Sequence, residues 1–429
     1  MTMRHWWGLA LIAGWMGGGI AGGGAPARAD VIYRLMPTVG LGVTDNAAAG
    51  TGATAERDEI AAASVLGSAR YARALSVHSL DASVVYTKYI QDRGPSTWTA
   101  MLAWASAFKL STVVDLGVGA QASVSQTSAV VTDLTMTTLV VTPAPASYYA
   151  SATATQTLSF TPTPRQVYGE ALAVSQLRYV GGSTALPTTT VVTGKLRGGW
   201  LFAHDTLFLE PSASDSFSSG SGTTTTGTIT TAIPPGSQVI AAQLMAGWQH
   251  EVGIAWSTVL SAGPLAIIQT DRDTVYNFAA LASISFHRLP WFASLSVSQV
   301  PVPNLYIGAL TLNDDAFLRA AVPLTRNQLL FLAAYGGYLY ARIADTQGNL
   351  HHAFDLITAG ASLNYKFQRH PLAMSLLYTI SDQHGVPVPP ATSSLDIERQ
   401  PLMVTLTGVF SWGPGTLPLF MGTLGQDGI

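Results

Sequence analysis

The sequence has 429 residues, of which 10% are charged and 48% are hydrophobic, with a formal net charge of −3 and no cysteine. Soluble proteins carry roughly 25% charged residues, so this composition excludes an ordinary water-facing surface over much of the chain. The lack of cysteine excludes disulfides, thiolate metal sites and a cysteine-linked lipid, and the slight negative charge excludes nucleic acid as an expected partner.

Residues 1–29 predict a secretory signal peptide. Arg4 precedes an apolar stretch over residues 6–20, and Ala27 and Ala29 form a small-residue cleavage site. The alternative is a membrane anchor helix, but the stretch is short and is interrupted by the glycines at 17–19. Cleavage before Asp30 would remove two of the 21 basic residues and none of the 24 acidic ones, leaving a net charge of about −5.

The remaining chain contains no apolar run of the roughly 18 residues that a membrane helix needs. The best candidate, residues 329–341, is broken by Gly336 and Gly337. A closed β-barrel is the other backbone that satisfies its own hydrogen bonds in lipid. The composition therefore predicts a membrane-spanning barrel.

Alternating sequence patterns support this prediction, because every second residue of a barrel strand faces lipid and the others face the lumen. Residues 115–125, 191–202 and 354–367 each alternate apolar residues with small or polar ones. A soluble sandwich would also alternate, but its polar face would be more charged.

The connections alternate between short turns and longer polar loops. Counting both predicts an all-β, antiparallel, up-and-down transmembrane β-barrel of about 18 strands over residues 30–412, with no separate soluble domain. Both chain ends fall on the short-turn side. Sixteen strands is the alternative, because residues 150–161, 252–267 and 314–324 have the weakest pattern. The predicted short turns lie near residues 73–74, 109–110, 162–165, 204–205, 250–253, 287–290, 325–327 and 368–371.

Aromatic residues near the strand ends predict a girdle at the membrane interface. The alternative is ordinary packing of aromatic strand residues. The residues assigned to the girdle are Trp98, Trp104, Trp200, Phe202, Trp248, Phe286, Trp291, Phe410 and Trp412.

The charged residues assigned to the lumen nearly cancel in sign, whereas a strongly ion-selective pore would show one dominant sign. The rest of the lumen is predicted to be Ser, Thr, Gly, Gln and Asn, which suits neutral or weakly charged solutes such as sugars. Alternatively, the charges pair across the lumen and brace the wall. The assigned lumen residues are Asp81, Asp115, Glu170, Arg178, Lys195, Arg197, Glu210, Arg319, Asp355 and Lys366.

Histidine and aspartate pairs in the predicted outer loops raise a hydrolase as an alternative function. His351 and His352 precede Asp355, and Asp382 precedes His384. Such pairs can supply a general base and its orienting carboxylate, although a solvated loop has the same composition. We predict no catalytic site, metal or cofactor. Asp314 and Asp315 form a further acidic pair, and four histidines occupy the predicted short turns, namely His204, His250, His287 and His370.

Two segments carry a family resemblance. Residues 33–46 resemble the opening strand of Gram-negative outer-membrane β-barrels, proline-containing and ending in Asp45-Asn46, and residues 402–412 resemble their closing strand. The resemblance implies an outer-membrane location, contact with outer-membrane lipid and assembly by the barrel-insertion machinery. In the usual pattern the chain stops at the last aromatic residue, whereas here residues 413–429 follow, and their placement is left open.

The whole plan also resembles general porins and the integral barrels associated with exopolysaccharide export. This resemblance implies a passive conduit for hydrophilic solutes or for an exported polysaccharide, with periplasmic export components as partners. The alternatives are a scaffolding barrel that sheathes a periplasmic partner and the rim hydrolase.

Overall fold

The computed structural model describes most of the chain after residue 29. The predicted signal peptide, residues 1–29, and the tail, residues 413–429, lie outside the described residues. Among the described residues, no helix has the length and apolar character needed to cross a membrane. The described ranges are 30–46, 56–94, 96–127, 147–180, 188–219, 222–226, 229–233, 238–269, 273–304, 309–344, 349–385 and 397–412.

The described residues form β-strands joined by turns. In chain order, the strands are β1 (Asp30–Thr44), β2 (Asp58–Arg73), β3 (Ser76–Tyr89), β4 (Thr97–Lys109), β5 (Val114–Thr127), β6 (Ser147–Thr163), β7 (Gln166–Tyr179), β8 (Thr188–Leu201), β9 (Asp205–Ser219), β10 (Gly222–Thr226), β11 (Ile229–Ile233), β12 (Gln238–Val252), β13 (Trp256–Gln269), β14 (Val275–Arg288), β15 (Trp291–Asn304), β16 (Ala309–Pro323), β17 (Leu330–Ala344), β18 (Leu350–Lys366), β19 (Leu372–Gly385), β20 (Ile397–Arg399), β21 (Leu402–Gly408) and β22 (Phe410–Trp412).

Within the described residues, 18 strands form a closed antiparallel barrel, which confirms the predicted fold class. Each wall strand pairs with its neighbours in sequence, and β12 follows β9 because β10 and β11 form a separate hairpin. The last wall strand, β21 continued by β22, pairs with β1 and closes the barrel. The three segments with the weakest pattern form β6, β13 and β16, so the alternative of sixteen strands is wrong.

The predicted short turns are confirmed, and they define one end of the barrel, which we call the short-turn end. They connect, for example, Arg73 to Ser76 and Arg288 to Trp291. Asp30 lies at this end, paired with Ala72. We call the opposite end of the wall the long-loop end.

The outer face of the wall is apolar. In β1, Val39 and Leu41 are 59% and 66% exposed, while Thr38 and Gly40 point to the inner face. The same alternation continues around the barrel and leaves large apolar side chains uncovered on every wall strand. A surface of this kind is stable in lipid, where the exposed apolar area is not in contact with water.

The predicted interface aromatics lie on this outer face or beside it. Trp256, which is not among the predicted interface residues, packs against Phe286 with ring centroids 4.8 Å apart. Phe202 lies in the turn between β8 and β9 and is 55% exposed. The register places the other eight, Trp98, Trp104, Trp200, Trp248, Phe286, Trp291, Phe410 and Trp412, on the outer face.

Asp45 and Asn46, just after β1, join the first wall strand to the segment that precedes the last one. Asp45 Oδ1 accepts a hydrogen bond from the backbone N–H of Gln400 at 2.7 Å, and Asn46 Nδ2 donates to the carbonyl of Glu398 at 2.8 Å. These contacts extend the closure beyond the last paired residues of β1. The pair therefore stabilises the seam between the first and last strands at the long-loop end.

Asp58 organises the rim next to this seam. The residue is 3% exposed, and its carboxylate accepts backbone N–H groups from Glu59, Gln91 and Arg93 at 2.6, 2.9 and 3.0 Å. Removing the carboxylate leaves these donors without their partner, and each buried unsatisfied group costs about 1–3 kcal/mol.

We therefore expect Asp58→Ala to loosen the loop after β3. Limited proteolysis of the detergent-folded protein should cut this loop faster than in the wild type. Asp273→Ala, a change at an exposed rim carboxylate, is the control and should leave the cleavage rate unchanged. Equal rates in both variants would show that Asp58 does not hold the loop.

Candidate lumen site

Hydroxyl side chains line much of the inner face and bond to one another between neighbouring strands. On β5, Ser123 contacts Ser151 of β6 at 2.6 Å. On β6, Thr153 contacts Ser175 of β7 at 3.1 Å. Similar pairs join β1 to β21, β4 to β5 and β8 to β9. Because small alcohols alternate with apolar outer residues, the strand period places them on the lumen side.

One charged cluster lies on the inner face of β8 and β9. Glu210 Oε1 is 2.7 Å from Lys195 Nζ, and its Oε2 is 3.8 Å from Arg197 Nη1. The Arg197 guanidinium also lies over the ring of Phe208, 3.7 Å from its centroid. Glu210 and Arg197 are nearly buried, with 9% and 12% of their side chains exposed. The cluster packs against the wall between adjacent strands and does not reach across the lumen.

Four other residues assigned to the lumen lie on the inner face but outside this cluster. Asp81 is buried on β3, and Asp115 of β5 lies opposite Lys109 in the register. Lys366 lies at the short-turn end of β18. Arg319 of β16 lies over the ring of Phe317, 4.5 Å from its centroid.

Three lumen assignments are wrong. Glu170 and Arg178 lie on the outer face of β7, the face that also carries Leu172. Asp355 lies on the outer face of β18 together with Ile357. Side chains alternate strictly along a strand, so a charge cannot move to the lumen side without its neighbours. Each of the three lies within the six residues nearest an end of its strand. The bilayer tolerates charge better toward its interfaces than at its midplane.

The histidines of the proposed rim hydrolase are partly brought together with carboxylates. His352 Nε2 is 3.3 Å from Asp355 Oδ1, and His384 Nε2 is 3.2 Å from Asp382 Oδ2. The His352 ring also stacks on Tyr340, with centroids 4.6 Å apart. His352 and Asp355 lie on the outer face of the wall, so this cluster contributes polar and aromatic groups to the outside of the long-loop end.

Of the histidines at the short turns, His250 has the best-defined contacts. Its Nδ1 and Trp248 Nε1 both lie 2.8 Å from Asp205 Oδ1. The Trp248 and His250 rings are stacked, with centroids 5.3 Å apart. These contacts hold the Trp248 ring in place on the outer face near the short turns. Among the described residues, no three metal-ligating side chains form a cluster.

Two buried apolar clusters at the long-loop end were not predicted from the sequence. In the first, Val239, Leu265 and Ile267 on β12 and β13 are 7%, 2% and 1% exposed. In the second, Leu339 and Phe354 on β17 and β18 are similarly buried. Residues 265–268 are apolar on both faces, which is the signal that could have revealed the first cluster.

The fold and the site define a membrane-type antiparallel β-barrel whose lumen is polar and charge-balanced. Of the ten residues assigned to the lumen, seven lie on the inner face, three acidic and four basic. No protein-family model and no curated protein matches this sequence.

Solved structures with a similar overall shape include outer-membrane proteins. OccAB3 of Acinetobacter baumannii is 11% identical, with a TM-score of 0.42 over 90% of this chain and 100% of that one. OpdK of Pseudomonas aeruginosa is 10% identical, with a TM-score of 0.42 over 90% and 99%. The alcaligin outer-membrane receptor FauA of Bordetella pertussis is 9% identical, with a TM-score of 0.42 over 90% and 77%. Similarity at this level does not indicate a function, and the fold is established by the strand pairings of this chain.

Proposed function

We propose that this protein is a passive conduit of the Gram-negative outer membrane for neutral hydrophilic molecules, either small solutes or an extruded polysaccharide. The observation that carries the proposal is the hydroxyl-lined inner face, on which the cluster of Lys195, Arg197 and Glu210 is internally paired. Hydroxyl groups both donate and accept hydrogen bonds, so they can replace the water around a sugar.

The size of the barrel supports this proposal. Barrels of 16–18 strands leave an aqueous channel inside. Apart from the hairpin β10–β11 and the short strand β20, which pairs with β19, every described residue belongs to a wall strand, a short connection or a strand end. The described wall therefore contributes no plug of its own.

The outer face supports placement in a membrane. Its large side chains are apolar, and aromatic residues are concentrated beside the short turns. By analogy with bacterial barrels, the short-turn end lies in the periplasm and the long-loop end faces outward. Asp30 would then follow the predicted signal peptide on the periplasmic side.

The test is conductance in planar bilayers combined with swelling of liposomes in sugar solutions. We expect stepwise channels with weak preference between cations and anions, and swelling in small neutral sugars. A folded barrel that gives neither signal would favour the scaffolding function. Conductance that is blocked by a polysaccharide but not by small sugars would favour export.

A paired substitution on β6 tests whether the inner face conducts. Thr155 lies on the inner face near the middle of the strand, and Ala154 is its outward neighbour. We expect Thr155→Trp to lower single-channel conductance because the indole occupies lumen volume. Ala154→Trp should leave conductance unchanged, and equal effects of the two changes would contradict the lumen assignment.

A further inference from the structure

The ladder between β14 and β15 ends before the two strands end. Their pairing runs from Arg288 and Trp291 to Ala280 and Gln299. Beyond that point, β14 is still paired with β13 and β15 is still paired with β16. Over the described residues, 275–279 and 300–304 therefore have a strand partner on one side only. We call this interruption the β14–β15 seam.

Two prolines account for the seam. Pro301 and Pro303 alternate along β15, so their missing N–H groups belong to the same edge of the strand. The ladder between β15 and β16 continues through both prolines. The lost donors must therefore lie on the edge that faces β14, where proline prevents strand pairing.

The strands overlap at the seam. Gln299 lies on the outer face, yet its Nε2 donates to Oδ1 of Asn277, an inner-face residue of β14, at 3.3 Å. Leu312 shares a face of β16 with Leu318, which is 51% exposed, but Leu312 is 0% exposed and clusters with Val275. The outer face of β16 thus lies against the inner face of β14 at the long-loop end.

A groove of about 880 Å³ follows the outer face of the wall just below the seam. Its lining includes Ala280 and Ala282 of β14, together with alanines of neighbouring strands, and larger side chains such as Trp248 and Tyr338. Small side chains leave space between the bulkier residues around them, and the groove is open along the outer face. This volume is in the range of protein sites that bind small molecules.

The groove is apolar along most of its length and polar at the end nearest the seam. Gln299 and Asp314 line this end, and Arg342 Nη2 donates to both carboxylate oxygens of Asp314 at 2.9 and 2.7 Å. The charges of Asp314 and Arg342 cancel, so the polar end suits a hydroxyl-rich or zwitterionic group better than a strongly charged one.

We propose that the groove and the β14–β15 seam bind the aliphatic chain of a membrane amphiphile, with its polar head beside Gln299 and Asp314. Leu260 and Val297, which line the groove, are 44% and 50% exposed, so lipid chains would contact the groove when the barrel lies in a bilayer. The polarity of the groove, apolar below and polar toward the long-loop end, matches an amphiphile of the outer leaflet. The proposal rests on the bilayer placement but not on conduction.

Native mass spectrometry of the protein purified from membranes tests this site. We expect the wild type to retain a lipid and Ala280→Phe, which fills the groove, to lose it at least about five-fold. Ala361→Phe, on the outer face of β18, is the matched control and should retain the lipid. Equal retention in both variants would overturn the proposal.

Photocrosslinking covers the case in which Ala280→Phe does not fold. Wild-type protein in liposomes with a photoreactive acyl-chain phospholipid should give adducts concentrated on β14 and β15. Replacing Pro301 and Pro303 by threonine restores the missing donors and should reduce these adducts by closing the seam. Evenly distributed adducts would contradict the proposal.

The occupant could instead be a second copy of the chain. Because the protein has no cysteine, Ala282→Cys provides a single thiol in the groove, and an efficient disulfide-linked dimer in the membrane would overturn lipid binding. A protein that binds lipid here but conducts nothing would contradict the proposed function and leave this site standing.

Discussion

Replacing Glu210 by glutamine is expected to destabilise the barrel and to make the proposed conduit anion-selective. The carboxylate is the partner of both Lys195 and Arg197, and the glutamine amide cannot neutralise either cation. Removing one partner of a buried ion pair costs about 3–5 kcal/mol, because the remaining charge stays buried without compensation. The two cations on the inner face would then attract anions into the lumen.

The measurements are the urea midpoint of reversible folding in detergent or lipid and the reversal potential across a salt gradient. Asp215→Asn is the matched control, because Asp215 lies on the outer face of the same strand and accepts hydrogen bonds from Gln238 at 2.9 and 3.0 Å. It should change the reversal potential little. An unchanged reversal potential in Glu210→Gln would show that solutes do not pass this cluster.

Replacing Gly263 by valine is expected to prevent the barrel from folding. A Cβ at this position would overlap the backbone carbonyl of Leu244 on the neighbouring strand. The clash is with backbone, so it cannot be relieved by rotating a side chain. Overpacking typically costs about 1–3 kcal/mol and occasionally more. Here it would also push β13 away from β12 at a position flanked by two buried residues, Met245 on β12 and Ala279 on β14.

The measurement is the shift in electrophoretic mobility between unheated and heated samples, which reports closed barrels. We expect Gly263→Val to give no folded band. Gly336→Ala is the control, because a Cβ there meets no atom within 4 Å, and it should fold like the wild type. A fully folded Gly263→Val barrel would mean that the two strands are farther apart than the structure shows.

The architecture was predictable because a chain with alternating strands that crosses a lipid bilayer must satisfy its own backbone hydrogen bonds, and a closed barrel does so. Alternation in segments such as 115–125 and the even spacing of short turns indicate both the barrel and its 18 strands. Two of the three weakest segments were weak for a physical reason. Residues 265–268 of β13 are apolar on both faces, and Asp314 of β16 carries a charge on the outer face.

The lumen site was less predictable, because alternation separates the two faces of a strand but does not say which of them faces the lumen. Alternation was used to assign Glu170 and Asp355 to the lumen, whereas the register places them on the outer face with Leu172 and Ile357. The period of two is fixed by backbone geometry, and the cost of an outward charge falls toward the membrane interface. A charged side chain therefore does not by itself identify the lumen face.

Contacts between strands were beyond prediction from the sequence. The pairing of Lys195 with Glu210 depends on the register of β8 and β9, which the pattern of one strand does not specify. Pro301 and Pro303 could have indicated the β14–β15 seam from the sequence. The overlap of β14 and β16 could not be predicted, because it depends on what the unpaired strand edges pack against.

The pairing of β1 with β21 is the long-range contact of an otherwise local fold. Nearly every wall strand pairs with a neighbour in sequence, and every second connection is a short turn that closes at small entropic cost. The hydrogen bond between Thr38 and Thr407 instead joins residues 369 positions apart. One edge of the first strand therefore stays unpaired until the last strand is in place. An incomplete barrel exposes this edge, which can pair with another chain unless something covers it.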